Sequence, residues 1–106
     1  MKEGFMVPPN HVNFEETFWK CWGEIIVGSI AYISLRGGGP TEMHTHSHNH
    51  LFIVVRGEAR VLLDDRKIII HRDESFLVDG SVPHSVWSNQ DEETVMIGIS
   101  LKEQRN

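Results

Sequence analysis

The sequence predicts an all-β fold, a single-domain antiparallel β-barrel or jelly roll, from three observations. Short runs rich in Ile, Val and Leu recur between turn-forming residues about every eight to twelve positions. No long stretch carries helical periodicity. The chain has 106 residues, enough for one hydrophobic core but not for two domains.

The elements follow in order. Glu24 to Leu35 (EIIVGSIAYISL) is rich in Ile, Val and Tyr and predicts a strand, with Gly28 a bulge or hairpin break. Arg36 to Pro40 predicts a loop, since three glycines and a proline hold a ladder poorly. Leu51 to Val55 is a continuous apolar run with Gly57 just beyond it. Ala59 to Leu63 and Lys67 to His71 flank Asp64, Asp65 and Arg66, a hairpin turn. Ser75 to Val78 is a further strand, followed by a turn over Asp79 to Pro83. His84 to Ser88 and Thr94 to Leu101 complete the series, and the polar residues up to Asn106 are expected to fray. The predicted barrel core is thus about 24–101, with an N-terminal arm over about 1–23, in one domain spanning 1–106.

Strand 51–55 is apolar on both faces, because Leu51, Ile53 and Val55 alternate with Phe52 and Val54. One face belongs inside the barrel. The other needs cover, either from the arm around Phe14, Phe18 and Trp19 or from a second subunit, and a homodimer is expected.

Charge and cysteine usage exclude several classes. The net charge of −5 argues against a nucleic-acid groove, and no basic run fits an anionic membrane. Cys21 is the only cysteine, so no disulfide forms within the chain. Between Trp19 and Trp22 it reads as a small buried hydrophobe. The N-terminus lacks an apolar signal core, and the longest apolar stretch, Ile25 to Leu35, is broken by Gly28, Ser29 and Ser34. A cytoplasmic location without membrane contact is expected.

Histidine is the one excess: seven in the chain, four of them within His44 to His50. His44, His46, His48 and His50 alternate, and in a strand residues two apart share a face. Converging neutral imidazoles suit a divalent cation, and His84, in VPHSVW, is the candidate to close its polyhedron. The alternative is a polar edge strand with solvated histidines.

The flanking residues add to this. The pattern G-x5-H-x-H-x3-H-x6-G from Gly38 to Gly57 resembles the first motif of the cupin family, with His50 where that family usually has glutamate. Asp79 to Asn89 resembles its second motif, with His84 as the histidine. Four departures stand in the second motif: Asp73-Glu74 replaces its opening Gly-Asp, Asp79 its proline and Ser81 its glycine, and Asn89 falls one residue late. The resemblance covers about residues 24–100. It implies a cupin-like double-stranded β-helix and a subset with four-histidine metal sites, here His44, His46, His50 and His84. The ion would be one divalent transition metal per chain: Fe, Ni, Cu, Zn or Mn. In such a site His48 is expected at the surface or the mouth.

Among the other histidines, His71 reads as a hairpin-end structural residue and His11 as part of an exposed arm. Phe52 and Val54 share a face with His50, and Val86 and Ser88 with His84. Met43, Tyr32 and Trp87 fall at the pocket or the subunit contact, depending on register. Glu42 and Glu58 are the nearest carboxylates in sequence, both expected to be solvated, and Arg56 and Arg60 are expected in surface salt bridges. The resemblance implies a metal-dependent dioxygenase, isomerase or lyase acting on a small organic molecule. A second implied reading is a ligand-binding module like the sensor domain of arabinose-regulator-type transcription factors, without their DNA-binding part.

Overall fold

In a computed structural model the described residues are Val12, Phe14, 24–34, 37–44, 48–89 and 92–102, with side chains left out for 40–44. They form eight strands in two antiparallel sheets, with no helix among them. The strands are β1 (Glu24–Ile33), β2 (Gly38–His44), β3 (Asn49–Arg56), β4 (Glu58–Leu63), β5 (Lys67–His71), β6 (Ser75–Val78), β7 (His84–Ser88) and β8 (Thr94–Lys102). One sheet runs β1-β8-β3-β6 and the other β2-β7-β4-β5. This is the expected all-β jelly roll.

Three strand predictions change. Gly38 to Pro40 opens β2 instead of lying in a loop. Register on β7 slips between Gly39 and His44, and Pro40 falls in that irregular stretch, where the ladder requires no bond from it. Gly28 neither bulges nor breaks β1, whose irregularity lies between Ile25 and Val27. β8 extends to Lys102 with Leu101 buried, so fraying does not begin at Leu101.

Alternation then builds the core. Phe52 and Val54 from β3, Ala59, Val61 and Leu63 from β4, and Met96 from β8 face the space between the sheets. The opposite face of β3 carries its own cluster, Leu51, Ile53 and Leu101, with Phe14 packed against it. The arm therefore covers part of the outer face, as expected at Phe14. Phe18, Trp19, Trp22, Cys21 and His11 lie outside the described residues. The sharp β3–β4 turn depends on Gly57, at φ 76°. A Cβ there would lie 2.7 Å from the Glu93 carbonyl oxygen, so only glycine fits without backbone movement.

Beside that turn a polar network ties β4, β5 and β7 together. Glu58 accepts from Asn89 Nδ2, and its Oε2 lies 3.3 Å from His71 Nε2. Glu58 is only 14% exposed at its side chain, so it is not the solvated residue expected. His71 has the predicted hairpin-end role: its backbone N–H and Nδ1 each lie 2.8 Å from Glu74 Oε1. That backbone hydrogen bond, then the ring contact, holds the Glu74 carboxyl below its ordinary value of 4.5. A carboxyl lowered on folding stabilises above its unfolded value and stops doing so as pH falls through its folded one. Glu74→Gln, which cannot ionise, is thus expected to melt slightly lower than wild type at pH 7 and to match it well below pH 4.5, so that its stability falls less with acid, as read by melting curves at each pH.

Candidate metal centre

The histidine tract does not lie in one strand. His44 ends β2 in one sheet, and His48 and His50 lie at and just inside the start of β3 in the other. β2 ends at His44 and β3, in the other sheet, begins at Asn49, so alternation along a single strand does not run from His44 to His50. The chain instead brings histidines together across the barrel. His44 and His84 are paired residues of β2 and β7. His50 faces inward on β3, with Phe52 and Val54 following on the same face, as parity predicted.

The His50 and His84 rings have centroids 5.6 Å apart at 65°. Imidazoles bound through nitrogen at about 2.1 Å place their ring centres about 4.5–5.5 Å apart for ligand angles of about 90–120°. The observed spacing lies just above that range, so the two rings stand close to the separation a shared ion requires. Among the described residues no group of three His, Cys, Asp or Glu side chains is gathered at one point. The side chain of His44 and all of His46 lie outside the described residues, as do the side chains of Met43 and Glu42.

Local chemistry orients both rings. His84 is 1% exposed, and its Nδ1 lies 2.7 Å from the Val82 carbonyl oxygen. A carbonyl only accepts, so Nδ1 carries the hydrogen and the neutral ring presents its lone pair at Nε2. This is the outer-shell contact that metal-binding histidines ordinarily make. The Val82 carbonyl is itself placed by a turn: Asp79 Oδ1 accepts from Ser81 N–H at 2.9 Å, and Asp79 O from Val82 N–H at 3.0 Å. Asn49 Oδ1 accepts from Gly80 N–H at 3.1 Å, which ties this turn to the residue before His50. His50 has its Nε2 buried and its Nδ1 3.3 Å from Ser100 Oγ. That hydroxyl can donate or accept; in the tautomer in which it accepts, His50 carries its lone pair at the buried Nε2.

His48 is half-buried, its ring edge-on to His50 at 4.9 Å. Phe52 stacks on the other side of His50 at 5.6 Å, with the planes 5° apart. Beside the pair is a cavity of about 330 Å³ lined by Leu63, Phe76, Val78, Val82, Arg66 and Asp79, among others. No described histidine lines it, though two of its lining residues, Leu63 and Val78, are the strand partners of His84 and His50.

Other sequence candidates fall elsewhere. Glu58 lies at the opposite end of β4 from Leu63, about 17 Å away at strand spacing, and cannot serve as a base here. Arg60 pairs with Trp87 and Ile69 on the outer face; its Nε is buried, and among the described residues it forms no salt bridge. Tyr32 is 68% exposed on β1. Ser88 is buried, but its hydroxyl bonds Thr94 Oγ1 and the Glu92 carbonyl. The sequence reading passed over Ser100, Asn49 and the cavity beside them. Ser100, an inward serine in the apolar run VMIGISL, was the available signal.

No helix of the described residues is long and apolar enough to cross a membrane. No curated protein matches the sequence. Solved structures that resemble it include a Bacillus halodurans protein, at 16% identity and TM-score 0.65, over 93% of this chain and 85% of that one. The cupin domain of Schizosaccharomyces pombe Cnp3 aligns at 12% identity and TM-score 0.65, over 72% of this chain and 55% of that one. The Fe(II) form of HppE aligns at 15% identity and TM-score 0.62, over 70% of this chain and 41% of that one. The chain thus spans about half the length of two of these neighbours, and the likeness is one of fold. A model of the cupin domain matches residues 31–100. With both motifs on the strands described above, the chain belongs to the cupin family.

Proposed function

We propose that this cupin holds one divalent first-row transition ion per chain through His44, His46, His50 and His84, and uses it on a small organic molecule in a dioxygenase, isomerase or lyase type of reaction. The observation that carries this reading is the inward pair of His50 and His84, with His84 Nδ1 committed to the Val82 carbonyl. A donor set of nitrogens suits Fe, Ni, Cu, Zn or Mn better than Mg or Ca. The ion, when bound, supplies Lewis acidity or oxygen activation at its open positions. The Fe(II) of the HppE neighbour supports a metal on this fold.

The chain's own residues do the rest. The Val82 carbonyl and Ser100 hydroxyl keep the two imidazoles oriented. Phe52, Val54 and Val86 make the adjoining interior apolar and exclude water. The neighbouring cavity of about 330 Å³ takes a small, partly hydrophobic molecule.

The test uses protein stripped of metal and reloaded with each ion in turn. Each form is incubated with small organic acids, sugars and phenols, with and without oxygen. Turnover that requires the ion supports the enzyme reading. Tight binding without turnover assigns the protein to the sensor-type modules that arabinose-regulator-type transcription factors carry. Turnover unchanged by stripping overturns the metal role.

A further inference from the structure

We propose, resting on the reading of the cavity of about 330 Å³ as the seat of the small molecule, that this cavity binds an α-amino acid with an apolar side chain as a zwitterion. It lies where the two sheets face each other at one end. Leu63, Asp65 and Arg66 come from β4 and its hairpin turn in one sheet, and Phe76, Leu77 and Val78 from β6 in the other. Asp79 and Val82, in the turn after β6, complete the wall.

The floor of the cavity is apolar. Leu63 and Val78 are buried, and Phe76 and Val82 pack against the same core. The rim is charged: Asp65, Arg66 and Asp79 are all exposed, two carboxylates beside one guanidinium. Among the described residues Arg66 forms no ion pair with either carboxylate. Asp79 is held in place because its Oδ1 accepts from the Ser81 N–H at 2.9 Å and from the Ser81 hydroxyl at 2.7 Å. A simple organic anion would meet Arg66 but also two like charges, in a chain of net charge −5. A simple amine would meet Arg66 as a like charge. A molecule with both charges on one carbon satisfies both signs, and an apolar substituent on that carbon reaches the floor.

The backbone of β6 offers matching groups. β6 ends its sheet, with β3 on one side and no described strand on the other. Val54 donates its N–H to the Glu74 carbonyl and accepts from the Asp73 N–H, so its backbone groups face the β6 side. By alternation those of Phe52 and His50 do the same, toward their partners Phe76 and Val78. Leu77, between these two, turns its N–H and C=O the other way, to the sheet edge where it lines the cavity. A ligand carboxylate can accept from that N–H and a ligand ammonium donate to that carbonyl, as a neighbouring strand residue would. A volume of about 330 Å³ matches roughly eleven waters at about 30 Å³ each, which suits an amino acid the size of leucine or phenylalanine.

The test is a nuclear magnetic resonance titration of the isotope-labelled full chain, once loaded with zinc and once stripped of metal. Leucine is expected to bind with a dissociation constant on the order of 0.1–1 mM in both forms, as suits a small ligand held by exposed charges. Its methyl groups should give Overhauser contacts to Leu63, Val78 and Val82. N-acetyl-leucine, which lacks the cation, and leucinamide, which lacks the anion, should each bind at least about 5-fold more weakly. Arg66→Gln should weaken leucine about 5- to 10-fold and leave leucinamide unchanged. Asp79→Asn keeps an oxygen that accepts from Ser81, and should weaken leucine but not N-acetyl-leucine. The substituted positions are exposed, and circular dichroism checks that both variants fold. Absence of leucine binding in both forms overturns the inference, as does N-acetyl-leucine binding as tightly as leucine, which marks a site for simple carboxylates. Binding that requires the metal places the ligand at the ion and also overturns it. Binding with the expected contacts in the stripped form, without turnover in any form, upholds the inference and counts against the catalytic reading alone.

Discussion

His84→Ala is expected to lower the bound transition metal from about one ion per chain to below about 0.1 after dialysis, measured by plasma mass spectrometry. The residue is buried among apolar neighbours, and its Nδ1 is committed to the Val82 carbonyl. Alanine removes the Nε2 donor and leaves that carbonyl without its partner. Losing the buried hydrogen bond costs about 1–3 kcal/mol of stability, which the barrel should survive. His46→Ala is expected to lose the ion too, with no cost to the His84–Val82 contact. His71→Ala serves as the control, because its contacts lie with Glu58 and Glu74 at the other end of β4. It should keep the metal and lose the ring contacts to Glu58 and Glu74, while the backbone N–H at position 71 still bonds Glu74.

The second large effect is expected from a residue that carries no side chain. Gly38 opens β2 at φ 138°, opposite Trp87. A Cβ there would overlap the Val86 carbonyl oxygen and lie 2.5 Å from Trp87 Cα, both backbone atoms of β7. Gly38→Ala therefore forces β2 away from β7. Strain at that φ together with the overlap should cost about 2–4 kcal/mol in denaturant titrations. It also moves His44 relative to His84, its paired residue at the other end of the ladder. Metal affinity should fall about 10- to 100-fold although no proposed ligand is touched, a loss comparable to that from outer-shell changes at other metal sites. Retained affinity in a destabilised protein would separate strand position from ligand geometry and count against His44 as a ligand.

How much of this was legible depends on the range of the interaction involved. Runs such as Lys67–His71, Ser75–Val78 and His84–Ser88 were read at their observed boundaries, because propensity and turn residues act locally. Parity also placed Phe52, Val54 and Val86 on the inner side correctly. Gly38 to Pro40 misled because loop chemistry was judged without β7, whose close backbone approach is what requires the glycine. Alternation from His44 to His50 misled for a related reason: β2 ends at His44 and β3 begins in the other sheet at Asn49, and the spacing does not announce where a strand ends. Glu58 looked solvated since its partners, His71 and Asn89, are distant in sequence. His84 was legible as a candidate ligand from its motif. The Val82 carbonyl that fixes its tautomer was not, because a backbone acceptor leaves no mark on residue identity.

The central claim is that four imidazoles, from His44, His46, His50 and His84, surround one ion. X-ray absorption on protein reloaded with a single equivalent of metal tests it most directly. The account predicts four nitrogen scatterers at about 2.0–2.2 Å with the outer-shell pattern of imidazole rings, and loss of that pattern in His84→Ala, which does not hold the ion. A first shell of oxygen alone, or a spectrum that His84→Ala leaves unchanged, would contradict it.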